Sequence, residues 1–349
     1  MSELQVVHGG ISATVQDLGR WQFQKFGVPV GGAMDVAAHR LANALVGNPP
    51  EAATIEIAWF GFAFSLCQNS LVAITGADLQ PTAQGQRIPL HRPIWFPAKT
   101  TVKFQHPTSG CYAYLAIAGG IETSPMLQSR ATNVRANLGG VNGQALKMSD
   151  VLPLGQPTKL GAAITETLNR ESNPSTEICA ATWFVRGEEP TPAGKTIIIH
   201  AIRGRHFQRL DDSSQRRFWN SDFVVSQDSD RMGYRLVGPE LNFAKPDELE
   251  SAAVSRGTIQ LPIGGNPIAL MADAATSGGY LNIAHVATAE ISKLAQAQPG
   301  HTIRFCEIDL AQAQMLIAEQ AERFRRLQRS ILFRIDSEAC RNARSERGR

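Results

Sequence analysis

Cysteine, aromatic residues and long apolar runs are all scarce in this chain of 349 residues. The 5 cysteines are odd in number and far apart, and no CxxC pair occurs, which argues against a disulfide framework and a zinc site. No stretch approaches the roughly 20 consecutive apolar residues of a membrane helix. The start, MSELQVVHGG, lacks the basic and apolar regions of a secretion signal. We therefore expect a soluble, cytoplasmic protein with reduced thiols and no membrane contact.

The net charge is also small, at +3, and it is unevenly distributed. Residues 323–349 carry many arginines and few acidic residues, so the rest of the chain is about neutral to acidic. A basic tail could contact nucleic acid, but no aromatic residues are interleaved and no known nucleic-acid motif is present. We predict a solvated helix end with a frayed terminus, and no nucleic-acid partner.

Several catalytic and binding motifs are missing. The chain has no GxxxxGK[ST] phosphate loop, and its paired glycines follow strands without opening helices in a βαβ unit. It has no GxSxG elbow and no HExxH helix, so serine-hydrolase and zinc-protease chemistry lack a motif. The 8 histidines are scattered, and we predict no metal site.

The chain does have many short β-type runs separated by glycine, proline, asparagine and aspartate. In the first half these runs are 4–15, 54–58, 63–66, 71–75, 94–96, 101–104, 113–118 and 146–154. Such short strands, with turns about every 8 to 12 residues, favour a barrel or sandwich over an alternating β/α fold. One helix is predicted at 34–46, where apolar residues recur at helical spacing. Asp35 lies at its start, where a carboxylate is favoured.

The second half has a similar order of elements after a connection. Residues 155–195 are rich in Pro, Thr, Glu and Gly, and we interpret them mostly as a connection with one strand near 182–186. The remaining patterns predict strands at 196–202, 222–225 and 301–307 and helices at 213–220, 290–297 and 310–334. We predict a first β domain at 1–160, a linker at 161–194 and a second β domain at 195–309. A C-terminal helix with a basic tail follows at 310–349.

The stretch 255–280 combines a hairpin pattern with clustered polar groups. Two extended runs, 258–263 and 267–272, flank a Gly-Gly-Asn sequence that supplies the positive φ angles of a tight reversal. The second run leads to Asp273 and to the sequence TSGGY at 276–280. Such a loop could hold a polar ligand, or it could be only a glycine turn that ends a strand.

A second polar group surrounds Arg231. Asp230, Tyr234 and Arg235 lie beside it in sequence. If 231–235 forms a strand, the two arginines share one face and Tyr234 points to the other. An arginine at a barrel mouth can bind a carboxylate or phosphate at two points. An interdomain salt bridge between Asp230 and an arginine is the alternative.

With these residues the chain resembles a known family. The blocks are GGISATVQDLGR, FGVPVGGAMDVAAHRLANALVGN, YAYLAIAGGI, SDRMGYRLVGPEL, SRGTIQLPIGGNPIALMAD, TSGGY and LAQAQPGHTIRF. In this order, over about 5–307, they are similar to the biotin-dependent carboxyltransferase family, also described as allophanate hydrolase subunit 2. That family contains the C component of bacterial 5-oxoprolinase, the KipI antagonist KipA and part of urea carboxylase. The resemblance implies a mainly β fold: two tandem cyclophilin-like β-barrel domains, a few helices and a C-terminal helix.

The resemblance also implies a function. The first hypothesis is the C component of an ATP-dependent 5-oxoprolinase, which opens the lactam of 5-oxo-L-proline to L-glutamate with a KipI-like component and a LamB/YcsF-like component. ATP would be held by the complex or by this chain. One alternative is a KipA-type regulatory protein that binds a KipI-like kinase inhibitor. The other is biotin-dependent carboxyl transfer to urea or a related amide, with biotin supplied in trans. A homo-oligomer is a further expectation.

The same resemblance implies a set of site residues. Asp273 would act as base or orienting group, and Arg231 would donate hydrogen bonds together with the backbone of Gly278 and Gly279. The substrate-binding residues would be Asp35, Arg130, Tyr234, Arg235, Gln260, Thr276, Gly278, Gly279 and Tyr280. Two positions, Ala275 and Leu281, depart from the family pattern D-x-Q-T-x-G-G-Y-P. These departures fit the regulatory alternative.

Overall fold

The structure, a computed structural model, describes residues 2–171, 177–187, 194–243 and 250–346. Short strands dominate the first half, in agreement with the sequence pattern. They are β1 (Glu3–Gly9), β2 (Ser12–Gln16), β3 (Thr54–Ala58), β4 (Phe62–Leu66), β5 (Ser70–Asp78), β6 (Thr82–Ala83), β7 (Gln86–Arg87), β8 (Ile94–Phe96), β9 (Thr101–Lys103), β10 (Ser109–Ile117), β11 (Val151–Pro153) and β12 (Cys179–Ala180). The predicted run 4–15 is two strands, because Gly10, with φ of 67°, turns the chain between them.

These strands form two six-stranded sheets around one apolar core. The sheet orders are β11-β1-β4-β9-β6-β7 and β12-β8-β5-β10-β3-β2. Leu4 and Phe64 enter the core from the first sheet, and Ile57, Ile74 and Leu115 enter it from the second. The outer faces of β5 and β10 remain apolar as well, so a second layer packs on them.

The helix α1 (Val36–Leu45) forms part of that layer, and the predicted helix at 34–46 is confirmed. Asp35 is its N-cap, and the carboxylate accepts a hydrogen bond of 2.9 Å from the backbone N–H of Ala38. This bond satisfies one of the backbone donors that a helix leaves unpaired at its start. The apolar stripe of α1 packs on β5 and β10.

His39 on α1 is buried, and its surroundings specify a neutral ring. In the neutral ring Nε2 donates to the carbonyl oxygen of Pro50 at 3.1 Å, and Nδ1 accepts from the Thr54 hydroxyl at 2.9 Å. Burial lowers the pKa of His39 from 6.5 to about 4. Below pH 6.5 the unfolded chain therefore takes up a proton that the folded chain refuses until about pH 4.

This difference predicts a loss of stability in mild acid. Between pH 6.5 and pH 4 the contribution of His39 to the free energy of unfolding should fall by about 3 kcal/mol. Urea unfolding at the two pH values, compared between the native protein and His39→Gln, measures it. We expect the variant to lose less stability over this range, and an equal loss in both proteins would contradict the assignment.

The second half closes into a barrel. The strands of the second half are β13 (Ile197–Arg203), β14 (Phe223–Val225), β15 (Gly233–Val237), β16 (Ala252–Ala253), β17 (Thr258–Leu261), β18 (Ile268–Leu270), β19 (Ser277–Gly278), β20 (Leu281–Val286) and β21 (Thr302–Glu307). The barrel order is β13-β20-β17-β18-β15-β14-β21, closed by parallel pairing of β13 with β21. The predicted hairpin is β17 and β18, in which Ile259 faces Ala269. The prediction of a mainly β fold with a barrel is confirmed.

Four further helices accompany the sheets. They are α2 (Lys159–Glu171), α3 (Asp212–Asn220), α4 (Ile291–Ala295) and α5 (Leu310–Glu346). The helix α3 covers the barrel core, where the rings of Phe218 and Phe305 stack with centroids 5.0 Å apart. The amphipathic helix predicted from Leu310 is confirmed, and it continues beyond its predicted end at residue 334.

The interpretation of 155–195 as mostly a connection is wrong at its start. Helix α2 lies there, because Ile164 and Leu168 form an apolar stripe that is buried against the rest of the protein. Within the described residues 177–187 the strand is β12, not the predicted 182–186. The predicted strand at 146–154 shrinks to β11. The limits of the four predicted parts of the chain stay a prediction.

One apolar core joins the two halves. It contains Leu45 of α1, Tyr114 of β10, Phe223 and Ile283 of the barrel, and Ile331 of α5. Within the described part of the chain, no helix combines the length and apolar character needed to cross a lipid bilayer. The shared core brings residues 30–35 of the first half against 271–276 of the second, and we call this contact the junction. There the Gly31 N–H donates to the carbonyl oxygen of Ala272 at 3.0 Å.

Candidate functional site

Arg231 lies at the centre of the junction and links the two halves. A turn before β15 presents it, because the carboxylate of Asp230 accepts from the backbone N–H of Met232 at 2.8 Å. Its guanidinium donates from Nε to Asp273 Oδ2 at 2.8 Å and from Nη2 to Asp273 Oδ1 at 3.2 Å. The same group donates to Glu56 in the first half. Arg231 therefore joins one carboxylate from each half.

Glu56 is a buried acid in the middle of β3, between Ile55 and Ile57. Its Oε2 accepts hydrogen bonds of 2.7 Å from the Tyr114 hydroxyl and from the backbone N–H of Met34. The strand register favours the first of these, because Tyr114 on β10 lies directly opposite Glu56 on β3. Burial raises the pKa of the Tyr114 phenol well above its usual range, and the neighbouring Glu56 carboxylate adds to this effect.

The electrostatics keep Arg231 charged. Burial acts to lower its pKa, but the carboxylates of Asp273 and Glu56 outweigh burial, and the pKa lies well above its usual range. Four of the five guanidinium N–H groups have partners, because Nη2 also donates to the Gly32 carbonyl oxygen at 2.7 Å. Arg231 is thus largely occupied in holding the junction and fixing the orientation of Asp273.

Asp35 forms a second polar group at the junction. Besides capping α1, its Oδ2 accepts a bond of 2.8 Å from the side-chain amide of Gln296, which follows α4. The Gln296 oxygen accepts from the backbone N–H of Cys111 at 2.8 Å. Burial raises the pKa of Asp35, although the Ala38 amide and Gln296 oppose this effect. Asp35 is therefore engaged in structure at both of its oxygens.

A cavity of about 1040 Å³ opens beside the junction. Gly31 and Asp35 line it from the first half, Arg256 and Thr276 from the second, and Phe324 from α5. Arg256 also holds the loop before α1, since it donates to the carbonyl oxygens of Ala33, at 2.9 Å, and Met34. A cavity of this size, largely apolar with a few convergent polar groups, is typical of a small-molecule site.

The other predicted site residues are distributed over several places. Gln260 is buried under Gly278, where it donates to Asn282 at 3.4 Å. Tyr234 is buried in the core and donates to the carbonyl oxygen of Ala295 at 2.8 Å. The rest lie away from the ion pair: Arg235, Gly279 and Tyr280 are exposed, and Arg130 pairs with Glu122. The structure pairs Arg231 with Asp273, and it places Asp35 and Thr276 in the wall of the neighbouring cavity.

The predicted interdomain salt bridge also exists. Arg135 of the first half contacts Asp230 at 2.9 Å, and the Arg135 side chain is 69% exposed. An exposed pair of this kind contributes little to stability. The salt bridge given as the alternative is therefore present, and the binding of a ligand carboxylate or phosphate by an arginine of this segment stays a prediction.

Three residues that the sequence analysis missed belong to this region: Glu56, Arg20 and Gln296. The signal for Glu56 was a charge within the apolar strand sequence TIEIA, since a buried charge needs a partner. Arg20 lies in the block QDLGR and is completely buried. No comparable signal marks Gln296, because its partners come from distant parts of the chain.

No group of three or more metal-ligating side chains occurs among the residues that the structure describes. The junction contains an arginine, two carboxylates and backbone groups. Such a set can bind polar groups of a small molecule and can orient a water or a substrate donor.

Comparison with known proteins places the chain in a family. The C component of 5-oxoprolinase from Escherichia coli is 32% identical over 330 residues, which are 93% of this chain and 97% of that protein. Urea amidolyase of Saccharomyces cerevisiae is 29% identical over 96% of this chain, which spans only 18% of that protein. The crystal structure of K. lactis urea amidolyase superposes on this chain with a TM-score of 0.81 at 29% sequence identity. The match covers 92% of this chain and 20% of the urea amidolyase chain. Residues 26–307 match the carboxyltransferase domain, subdomain A and B, and the chain belongs to this family.

Proposed function

We propose that this protein is the C component of an ATP-dependent 5-oxoprolinase. In this complex it would open the lactam of 5-oxo-L-proline to L-glutamate together with a KipI-like component and a LamB/YcsF-like component. The observation that carries the proposal is the end-to-end match to the Escherichia coli C component, 97% of which this chain covers, whereas it spans 18% of a urea amidolyase. The buried pair of Arg231 and Asp273 beside a cavity supplies a site in agreement with it.

The geometry suggests how these residues would act on a lactam. Its carbonyl carbon is a poor electrophile because nitrogen donates electron density to it, so the oxygen must be activated before water attacks. Asp273 is held by Arg231 at both carboxylate oxygens, which fixes the direction of its remaining lone pairs. We assign Asp273, whose neighbours Ala272 and Ala274 line the cavity, the task of accepting a proton from a substrate group or of orienting it. Arg231 is the positioning residue that holds it.

ATP does not fit the N-termini of α1, α2, α3 and α5, each of which has a side-chain cap. A helix N-terminus binds phosphate when its first N–H groups are free. In α1 the Asp35 carboxylate already accepts from Ala38, and in α3 Asp211 accepts from Ser214 at 2.6 Å. We propose that the complex binds ATP and that these helix ends are not where its phosphates bind. The free thiols among the described residues agree with a reducing compartment, so we place the complex in the cytoplasm.

Reconstitution tests this function. The full chain is purified with its KipI-like and LamB/YcsF-like partners, and glutamate release from 5-oxo-L-proline is measured with and without ATP. We expect release only with ATP and with all three components present. No release from the complete complex would overturn the proposal. Tight binding of the KipI-like protein without any turnover would favour the regulatory alternative.

A second candidate is biotin-dependent carboxyl transfer to urea or a related amide. The observation that favours it is the fold, because the chain superposes on K. lactis urea amidolyase with a TM-score of 0.81. In that case carboxybiotin would be supplied on a separate carrier. Biotin-dependent carboxylation of urea, assayed with labelled bicarbonate, distinguishes it from lactam opening.

A further inference from the structure

The wall of the cavity beside the junction carries more positive than negative side chains. Its arginines are Arg40, Arg186, Arg256, Arg323, Arg325 and Arg326. Among the described residues of the wall, Asp35 is the one carboxylate. Two of the arginines on α5 pair with Glu322, which lies outside the wall. A cleft lined mainly by one sign of charge attracts ligands of the opposite sign, so this wall favours an anion.

The cavity opens to solvent, and much of its wall is apolar. Trp21, which is 60% exposed, and Arg326, whose side chain is 76% exposed, both belong to the wall, so a ligand can enter between such residues. Leu41, Met271 and Phe324 line the apolar part. The cavity therefore suits an organic anion that has an apolar body.

Arg256 is a cation of this wall that forms no ion pair with any described residue. Its Nη1 donates to the carbonyl oxygen of Ala33 at 2.9 Å, and its Nη2 donates to that of Met34. A guanidinium has five N–H groups, so these two bonds leave donors over. Charges that are partly removed from water are normally paired with an opposite charge. Arg256 therefore has both the charge and the donors to bind an anion.

The guanidinium of Arg256 lies in the wall, next to the pair of Arg231 and Asp273. Residues 254–256 line the cavity at one end of the side chain, and Ala33 lines it at the other end. Arg231 donates to the carbonyl oxygen of Gly32, whereas Arg256 donates to that of the next residue. Burial lowers the pKa of Arg256, and the neighbouring charge of Arg231 acts in the same direction. An anion bound at Arg256 offsets both effects.

We propose that Arg256 binds the carboxylate of the substrate in this cavity and selects a lactam acid over a neutral amide. This inference rests on the proposed function, in which the substrate is 5-oxo-L-proline, a small ring that carries one carboxylate. The remaining N–H groups of Arg256 donate to the carboxylate oxygens, and such charge-assisted bonds are strong. Because Arg256 lies beside the pair of Arg231 and Asp273, the contact holds the lactam ring near Asp273. Urea carries no carboxylate, so the contact favours the lactam over the second candidate substrate.

Calorimetric titration compares the acid with neutral lactams of similar shape. The probes are 5-oxo-L-proline, 5-oxo-L-prolinamide, in which a neutral amide replaces the carboxylate, and 2-pyrrolidinone, which lacks that group. Each is added to the full chain and to the assembled complex. We expect the acid to bind at least about tenfold more tightly than either neutral lactam, because it alone forms hydrogen bonds between two charged groups. Equal binding of the three probes, or binding of none to either preparation, would overturn the site.

A matched pair of arginine variants assigns the preference to Arg256. Arg92 is also partly buried and donates to a backbone carbonyl oxygen, that of Ala181 at 3.0 Å, but it lies outside the described wall of the cavity. We expect Arg256→Met to reduce the preference for the acid over its amide to about twofold or less, and Arg92→Met to keep the native preference. If Arg256→Met weakens the binding of acid and amide equally, Arg256 has only a structural role and the proposal fails.

A second variant covers the loss of the bonds from Arg256 to the loop before α1. If Arg256→Met does not fold, Arg256→Lys replaces it in the same titrations. We expect the preference for the acid to fall in this variant too, because an ammonium lacks the planar fork of a guanidinium. An unchanged preference in Arg256→Lys would contradict the assignment.

The two proposals fail in different ways. If the acid is preferred through Arg256 but the complex releases no glutamate, the oxoprolinase function is wrong and the carboxylate site stands. If the complex releases glutamate and the Arg256→Met complex keeps the native preference for the acid, the carboxylate site is wrong and the function stands.

Discussion

Replacing Arg231 with methionine is expected to lower the free energy of unfolding by about 3 to 5 kcal/mol, because it leaves two buried carboxylates without their cation. Asp273 and Glu56 are 9% and 2% exposed, so water cannot substitute for the guanidinium. Urea unfolding at pH 7 measures the loss. The control is Arg304→Met, which removes a pair with Asp222 whose side chains are 46% and 40% exposed. Its loss should stay below about 1 kcal/mol.

A second substitution checks the cause of this loss. Adding Glu56→Gln to Arg231→Met removes one of the two stranded charges while keeping the shape of the side chain. The double variant should therefore regain part of the stability that Arg231→Met loses. If the Arg231 and Arg304 variants lose equal stability, or if Glu56→Gln makes the double variant still less stable, the buried pair is not what holds the junction.

The second large effect concerns activity. Changing Asp273 to asparagine in the assembled complex is expected to reduce glutamate release at least about a hundredfold, because an amide cannot accept a proton and cannot pair with Arg231 as a carboxylate does. The control is Asp222→Asn, in which an exposed aspartate on the barrel surface is changed in the same way. We expect its turnover to equal that of the native complex.

Folding must be measured alongside turnover. Asp273→Asn weakens the buried ion pair, so the thermal midpoint of the variant is compared with that of the native protein. A variant that remains folded at the assay temperature but loses turnover supports the role of Asp273. Near-normal turnover in this variant would remove Asp273 from the mechanism, whatever its effect on stability.

The sequence was most informative where the structure is local. The helix α1 has an apolar stripe and a defined start at Asp35, and the hairpin of β17 and β18 has its Gly-Gly-Asn turn. Helix α2 was missed although Leu160, Ile164 and Leu168 follow a helical spacing. The surrounding Pro, Thr and Gly residues concealed it, and what stabilises such a short helix is packing against the rest of the protein.

The site was predictable only in part, for a related reason. Asp273 and Arg231 are 42 residues apart and both lie in polar, glycine-containing segments, so the sequence marked them as candidates. Their pairing with each other depends on the pairing of β15 with β18 in the barrel, and the contact of Arg231 with Glu56 depends on how the two halves pack. The same holds for Arg20, whose position beside Asp273 follows from the contact of loop 30–35 with 271–276. Side chains from both halves are needed before Glu56 has its cation.

The two partners of the ion pair between the halves are synthesised at different times. Glu56 precedes Arg231 by 175 residues in the chain. A ribosome adds about 5 to 20 residues each second, so about 10 to 35 s separate the synthesis of the two partners. During that interval the Glu56 carboxylate of the first half lacks its cation, Arg231. The apolar outer faces of β5 and β10 also lack the part of their cover that the second half supplies. The pace of translation therefore sets how long the nascent chain presents this face to chaperones and proteases.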